Sequence, residues 1–114
     1  GEMRGFEYLI INDNDLFGRI PIEIGVKSTL LKELNMARNR FFGSIPTQFS
    51  LLKNLRLIDG SYNELSGALP PQIGMMEHVD VLNLFNNALS GELPESFYDL
   101  RNLRILNLGS NLLA

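Results

Sequence analysis

Cysteine is absent from this chain of 114 residues. Without thiols, the chain has no disulfide, no thiolate metal site and no cysteine nucleophile. The absence leaves the cellular compartment undecided, because domains without disulfides occur both inside and outside the cell.

Histidine is nearly absent as well, and the motifs of catalysis and metal binding are missing. His78 is the only histidine; it has no HExxH spacing around it, and we expect a solvated residue at a repeat junction. The segment 12–15 (Asn-Asp-Asn-Asp) is followed by Leu16 and Phe17 rather than by further oxygen ligands, so it does not match a calcium loop. No GxSxG elbow or glycine-rich phosphate loop occurs. We therefore expect neither enzymatic activity nor a bound metal or cofactor.

A surplus of positive charge and long apolar runs are also missing. Ten basic residues stand against 13 acidic ones, a formal net charge of -3, and no segment concentrates the basic residues. We therefore expect no nucleic-acid partner. Apolar runs such as 9–11 (Leu-Ile-Ile) are far shorter than the ~18 residues that cross a bilayer, so we expect neither membrane insertion nor a signal segment. With 45% hydrophobic residues, the composition indicates one folded, soluble domain.

A repeat with a period of 24 residues runs through almost the whole chain. Apolar residues stand eight, five and three positions before each repeat asparagine, except at Gly60, and Leu or Phe, then Gly, then Pro follow each of the first four asparagines. The asparagines are spaced by 25, 24, 24 and 24 residues: Asn14, Asn39, Asn63, Asn87 and Asn111. The repeats cover about 6–30, 31–54, 55–78 and 79–102, with a partial copy at 103–114. We expect one domain over 1–114, uncapped at both ends.

Each repeat predicts one strand and one helical turn. The LxL alternation is typical of a short strand with one buried face, and units of this size must stack to bury their apolar side, which gives a parallel sheet. The prolines predict 3₁₀-like turns at Pro21–Gly25, Pro46–Ser50, Pro70–Gly74 and Pro94–Tyr98. The five asparagines follow the strands, where their amides can bond unpaired backbone groups. We interpret them as a structural ladder and not as ligand-binding residues.

Two repeats depart from the pattern. Gly60 stands in a leucine slot of the strand, which predicts a gap costing a few kcal/mol unless neighbours fill it. The spacing of 25 between the first two asparagines predicts an extra residue within Gly25–Leu31 that bulges outward, where Lys27 replaces an apolar residue. Met75 and Met76 are expected to fill gaps in the core.

The pattern LxxLxLxxNxLxGxIP, clearest in Leu31–Pro46 and Val79–Pro94, resembles the plant-type leucine-rich repeat. The resemblance implies an α/β fold: a right-handed solenoid of about 4.5 to 5 repeats, with a parallel sheet on the concave face and 3₁₀ turns on the convex face. Such repeats form the ectodomains of receptor-like kinases and secreted polygalacturonase inhibitors, which implies an extracellular or cell-surface location. The chain has no N-x-S/T site and no capping cysteines, so an intracellular or organellar assembly stays open as the alternative.

In such a solenoid, the residues between and after the strand leucines form columns on the concave face. An exposed Phe85 beside Tyr62 would anchor a partner there. The candidate binding residues are Asn35, Arg38, Asp59, Tyr62, Asn83, Phe85 and Asn86. We expect a recognition module for a protein, a peptide or a glycan. The alternative is a scaffold segment of a larger assembly that makes its contacts through convex residues such as Phe17 and Phe42; self-association is left open.

Overall fold

Ten short strands alternate between two parallel sheets. The computed structural model describes residues 7–114; residue 6, where the first expected repeat begins, lies outside them. The first sheet contains β1 (Tyr8–Ile10), β3 (Glu33–Asn35), β5 (Leu57–Asp59), β7 (Val81–Asn83) and β9 (Ile105–Asn107). The second contains β2 (Phe17–Arg19), β4 (Arg40–Gly43), β6 (Glu64–Ala68), β8 (Ala88–Gly91) and β10 (Leu112–Leu113). Leu34 pairs with Ile58 and Ile58 with Leu82 in parallel register, so the predicted stacked sheet is confirmed.

The sequence pattern does not by itself indicate the second sheet. Its strands begin just after the repeat asparagines and direct one apolar residue inward, such as the buried Leu65 and Leu89. At the end of these strands, Gly43, Gly67 and Gly91 adopt φ values of 81°, 80° and 82°, a conformation that residues with a Cβ atom rarely adopt. The repeat glycine therefore closes the second strand.

The turns on the opposite side are 3₁₀ helices in three repeats and an α-helix in the first. The 3₁₀ turns cover Thr47–Leu51, Pro71–Met75 and Glu95–Asp99, and helix α1 covers Glu23–Lys27. Each begins one or two residues later than predicted. In the three 3₁₀ repeats the proline is extended and precedes the turn, as Pro46 does with a ψ of 133°. The prediction of a 3₁₀ turn in the first repeat is wrong.

The extra residue of the first repeat is absorbed inside α1. The Ser28 N–H donates to the Ile24 carbonyl four residues back (3.2 Å), whereas the Leu52 N–H donates to the Phe49 carbonyl three residues back (3.0 Å). Widening the turn from 3₁₀ to α spacing takes up one residue without a protruding loop. The predicted outward bulge is therefore wrong, and Ser28, buried at 1% exposure, occupies the apolar slot instead of Lys27.

One continuous apolar core lies between the sheets and the turns. At Gly60, the side chains in the same slot of the flanking repeats close the gap: a Cβ atom there would lie 3.2 Å from Leu84 Cδ2 and 3.7 Å from Met36 Cε. A cavity of about 10 Å³ remains among Met36, Leu84 and their neighbours, too small and too apolar to hold a water molecule. Met76 is buried as expected, but Met75 is 68% exposed and fills no gap.

The repeat asparagines bond the backbones of successive repeats. Asn63 Nδ2 donates to the carbonyls of Met36 (3.0 Å) and Gly60 (3.1 Å), and its Oδ1 accepts the N–H of Phe41 (3.0 Å). The same acceptor role recurs at Asn39, Asn87 and Asn111 toward the N–H groups of Leu16, Leu65 and Leu89. Within residues 7–114, the Asn14 side chain makes two bonds, from Nδ2 to the carbonyls of Ile11 and Asn12. Every strand-to-turn transition is thereby tied to its neighbour.

No helix within residues 7–114 has the length and apolar character of a membrane-spanning helix.

Candidate partner-binding face

We define the concave face as the surface of the first sheet that points away from the core. The middle residue of each strand is directed inward, as the buried Leu34 and Ile58 show, so the residues on either side face outward. The resulting first column contains Tyr8, Glu33, Leu57, Val81 and Ile105. The second column, which we call the amide column, contains Ile10, Asn35, Asp59, Asn83 and Asn107.

Three candidate residues of the amide column are half-buried and bonded to their own turns. Asn35 Oδ1 accepts the N–H of Ala37 (3.1 Å), and Asn83 Oδ1 accepts the N–H of Phe85 (3.1 Å). Asp59 Oδ1 accepts both the N–H (3.0 Å) and the hydroxyl (2.7 Å) of Ser61. These bonds hold each side chain in one orientation, because a side-chain oxygen that caps a turn cannot rotate freely.

The first column is a surface feature that the sequence analysis did not identify. Leu57, Val81 and Ile105 are adjacent in register on β5, β7 and β9, and they form an apolar stripe on the concave face. Leu57 and Val81 are half-buried and Ile105 is exposed. The signal was present in the sequence, because period-two alternation places the residue before an inward leucine on the same face as the residue after it.

The next column follows the strands and is built from residues with positive φ. Arg38, Tyr62 and Asn86 have φ values of 59°, 56° and 61°, and Asp13 and Ser110 have values of 61° and 54°. Non-glycine residues in this region are uncommon, so the recurrence at every repeat indicates that the turn geometry is imposed by the stack. The turn places these side chains at one end of the first sheet.

A row of stacked side chains connects this column with Phe85. The Arg38 guanidinium lies 4.4 Å from the centre of the Tyr62 ring, and the rings of Tyr62 and Phe85 meet edge-on with centres 5.6 Å apart. Arg38 Nε also lies 3.9 Å from the Asp13 carboxylate. The cation–π contact and the aromatic pair each contribute about 0.5–1.5 kcal/mol. The row therefore presents a preformed aromatic surface.

The row is less exposed than the sequence indicated. Phe85 is half-buried, because its ring packs between Tyr62 and Gly109, where a Cβ atom would lie 3.2 Å from two ring carbons. Tyr62 is 39% exposed. Ala37 and Ser61, in the same column as Phe85, are buried. The expectation of an exposed Phe85 is therefore wrong.

Asn86, the remaining candidate, lies exposed beside this row. Its Oδ1 accepts the hydroxyl of Ser110 in the next repeat (3.2 Å). The contact joins the last two positions of the column across the repeat boundary.

Charged residues line the opposite end of the first sheet. Lys32 pairs with Glu7 (3.3 Å), and Arg104 pairs with Asp80 (3.5 Å). These pairs are largely solvated, so each contributes at most about 1 kcal/mol. Within residues 7–114, no cluster of three or more His, Asp or Glu side chains could hold a metal ion.

A second aromatic surface lies on the outer side of the second sheet. Phe17 on β2 is 67% exposed and its ring centre lies 5.2 Å from that of Phe42 on β4. Arg40 covers the Phe17 ring at 5.1 Å and Arg19 covers the Phe42 ring at 5.3 Å. Phe17 and Phe42, which we expected on the convex side, lie on strands β2 and β4 of the second sheet. We call this group the lateral aromatic patch.

Comparison with known proteins identifies the class of fold. The sequence model of the leucine-rich repeat family matches residues 30–52 and 78–100. The plant peptide hormone receptor RGFR1, solved with RGF2, shares 34% identity at a TM-score of 0.91. The Arabidopsis receptor kinase HAESA, solved with the peptide hormone IDA and the co-receptor SERK1, shares 36% at 0.90, and the SOBIR1 ectodomain of Arabidopsis thaliana shares 31% at 0.87. Among curated protein sequences, no significant match was found. The chain is a leucine-rich repeat solenoid of the plant type.

The structural similarity covers most of this chain but only part of each receptor. It extends over 94% of the chain for RGFR1 and HAESA, and 93% for SOBIR1. The chain in turn spans 17% of the RGFR1 chain, 18% of the HAESA chain and 56% of the SOBIR1 chain.

Proposed function

We propose that the chain is a non-enzymatic recognition module whose concave face binds a peptide or an extended protein segment. The concave face itself carries the proposal: an apolar stripe of Leu57, Val81 and Ile105 runs beside the polar amide column, and the aromatic row closes one end. Apolar area, aromatic anchors and oriented polar groups are the combination found in the cores of protein interfaces.

The structural relatives support a peptide as the partner. Two of the receptors with similar folds, RGFR1 and HAESA, were solved with peptide hormones. All three receptors compared are plant receptors, and SOBIR1 was solved as an ectodomain, which supports an extracellular or cell-surface location for this chain.

The test is selection of a random peptide library on the immobilised chain, followed by affinity measurement of the enriched peptides. Leu57→Ala and Tyr62→Ala should each weaken binding by about tenfold or more, as truncation of an interface anchor does. Phe17→Ala is the control, because it removes an exposed aromatic ring from the other sheet. The proposal fails if Phe17→Ala abolishes binding while the concave-face variants bind as the wild type does.

The lateral aromatic patch favours a second candidate function, a scaffold segment that packs against other subunits. An aromatic side chain as exposed as Phe17, covered by arginine, is typical of interface anchors. Variants separate the two functions. If the chain is a scaffold segment, Phe17→Ala and Phe42→Ala should lose binding to the partner, whereas Leu57→Ala and Tyr62→Ala should keep it.

A further inference from the structure

The amide column has a defined pattern of hydrogen-bond donors and acceptors. In an amide side chain the oxygen accepts hydrogen bonds and the nitrogen donates them. The Oδ1 atoms of Asn35, Asn83 and Asn107 therefore face the backbone N–H two residues later, at 3.1 Å in each case. Their NH₂ groups donate to no other group within residues 7–114. Each of these asparagines therefore offers a partner its NH₂ group as a donor, while its oxygen already accepts one bond from the turn.

Asp59 interrupts this row of donors with a negative charge. Its Oδ1 is occupied by the two bonds from Ser61, whereas Oδ2 forms no hydrogen bond or ion pair with the part of the chain that the structure describes. Neighbouring strands are about 4.8 Å apart. Read from β3 to β9, the column thus offers a donor, an anionic acceptor and two further donors at that interval.

The surroundings of Asp59 favour a cation supplied by a partner. The carboxylate is half-buried, and Leu57 precedes it on the same face, with Val81 beside Leu57 on the next strand. Charge attraction is stronger at such a partly desolvated position than in open water. Arg56, which directly precedes β5, lies three residues before Asp59, about 10 Å along the strand, and in the preceding repeat Lys32 is paired with Glu7. Arg38 is held by Asp13 and Tyr62.

We propose that Asp59 is a specificity-determining residue of the concave face and selects a Lys or Arg side chain of an extended peptide. Apolar side chains of the same peptide lie on the stripe of Leu57, Val81 and Ile105, and its carbonyl oxygens accept from Asn83 and Asn107. The proposal rests on the proposed function, because it names the chemistry of the peptide that the concave face binds.

The experiment uses variants that change charge but keep the turn. In Asp59→Asn, the remaining oxygen can still accept the Ser61 N–H, so the capping bond is preserved. Asn83→Asp keeps the acceptor for the Phe85 N–H in the same way. The double variant Asp59→Asn/Asn83→Asp therefore moves the negative charge by one strand, about 4.8 Å, on an otherwise unchanged face.

A random peptide library is selected separately on the wild type, on Asp59→Asn and on the double variant. The wild type should enrich Lys or Arg at one position next to apolar residues. Asp59→Asn should lose that enrichment and bind the best wild-type peptide more weakly by about tenfold or more, because a hydrogen bond to a charged group is stronger than one between neutral groups. The double variant should enrich a basic residue again, displaced relative to the apolar positions. Unchanged circular dichroism spectra and melting temperatures show that the variants are folded.

The outcomes separate this inference from the proposed function. If the wild type and Asp59→Asn enrich the same peptides, or the enriched peptides contain no basic position, the role of Asp59 is wrong while concave-face binding stands. If no peptide is enriched on the wild type, or Leu57→Ala leaves binding unchanged, the proposed function fails and the inference fails with it.

Discussion

Replacing Asn63 by alanine should destabilise the chain far more than the same replacement at Asn14, although both stand in the same slot of their repeats. Asn63 is an inner member of the ladder, and its Oδ1 is the acceptor for the Phe41 N–H (3.0 Å). The Met36 and Gly60 carbonyls keep partners in the variant, because Asn39 and Asn87 also donate to them. The main loss is therefore one buried, unpaired N–H.

The structure sets the size of the difference. An unpaired buried N–H costs about 1–3 kcal/mol, and the lost Nδ2 bonds of Asn63 add about 1 kcal/mol together because their carbonyls keep other donors, so we expect a loss of about 3 kcal/mol for Asn63→Ala. Asn14 is exposed, and its Oδ1 accepts no hydrogen bond from residues 7–114. The Ile11 carbonyl keeps its bond from Asn39 (2.9 Å). We expect Asn14→Ala to cost about 1 kcal/mol or less.

Equilibrium unfolding in urea, followed by circular dichroism, measures both values. With urea m-values of about 1–3 kcal/mol/M, Asn63→Ala should lower the midpoint by about 1–3 M and Asn14→Ala by less than half as much. The midpoints can be compared only if the m-values of the variants are equal, because stacked repeats can lose cooperativity and a changed m-value would indicate this. Equal midpoint shifts in the two variants would refute the reasoning, since they would show that the inter-repeat acceptor bond contributes nothing.

Three further substitutions test the packing, each by urea unfolding. Ser28→Ala should stabilise the chain by about 1 kcal/mol, because the buried Ser28 hydroxyl has no partner within residues 7–114; a lower midpoint would contradict this. Gly60→Leu restores the repeat pattern but should destabilise by about 1–3 kcal/mol, because Leu84 already occupies the space; a gain in stability would show that the gap is open. Gly74→Ala should cost about 2 kcal/mol or more, because the new Cβ would lie 2.6 Å from the Ser96 carbonyl carbon. Gly67→Ala is the control: Gly67 is exposed, so its replacement is destabilised by backbone strain alone and not by a clash.

The candidate site was predictable only in part. The 24-residue period brings Arg38, Tyr62 and Asn86 into one column, and sequence reasoning placed them together for that reason. It did not predict that Phe85 would be half-buried against Gly109, because that contact joins two residues 24 positions apart whose packing depends on the turn conformation. The apolar stripe that includes Leu57 followed from the same alternation as the amide column, yet only the strand register made its continuity evident.

The amino-acid sequence by itself determined the repeat, the stacked parallel sheet and the positions of the inward leucines, because a period of 24 residues and an alternation of two are properties of the chain alone. The tertiary structure decided how each irregularity is accommodated. Helix α1 takes up the extra residue by widening, Met36 and Leu84 close over Gly60, and the N–H groups of the turns orient the amide column. In each case several local conformations are possible, and the one adopted is the one that packs best against the neighbouring repeat. That packing involves residues distant in sequence, so the local sequence does not determine it.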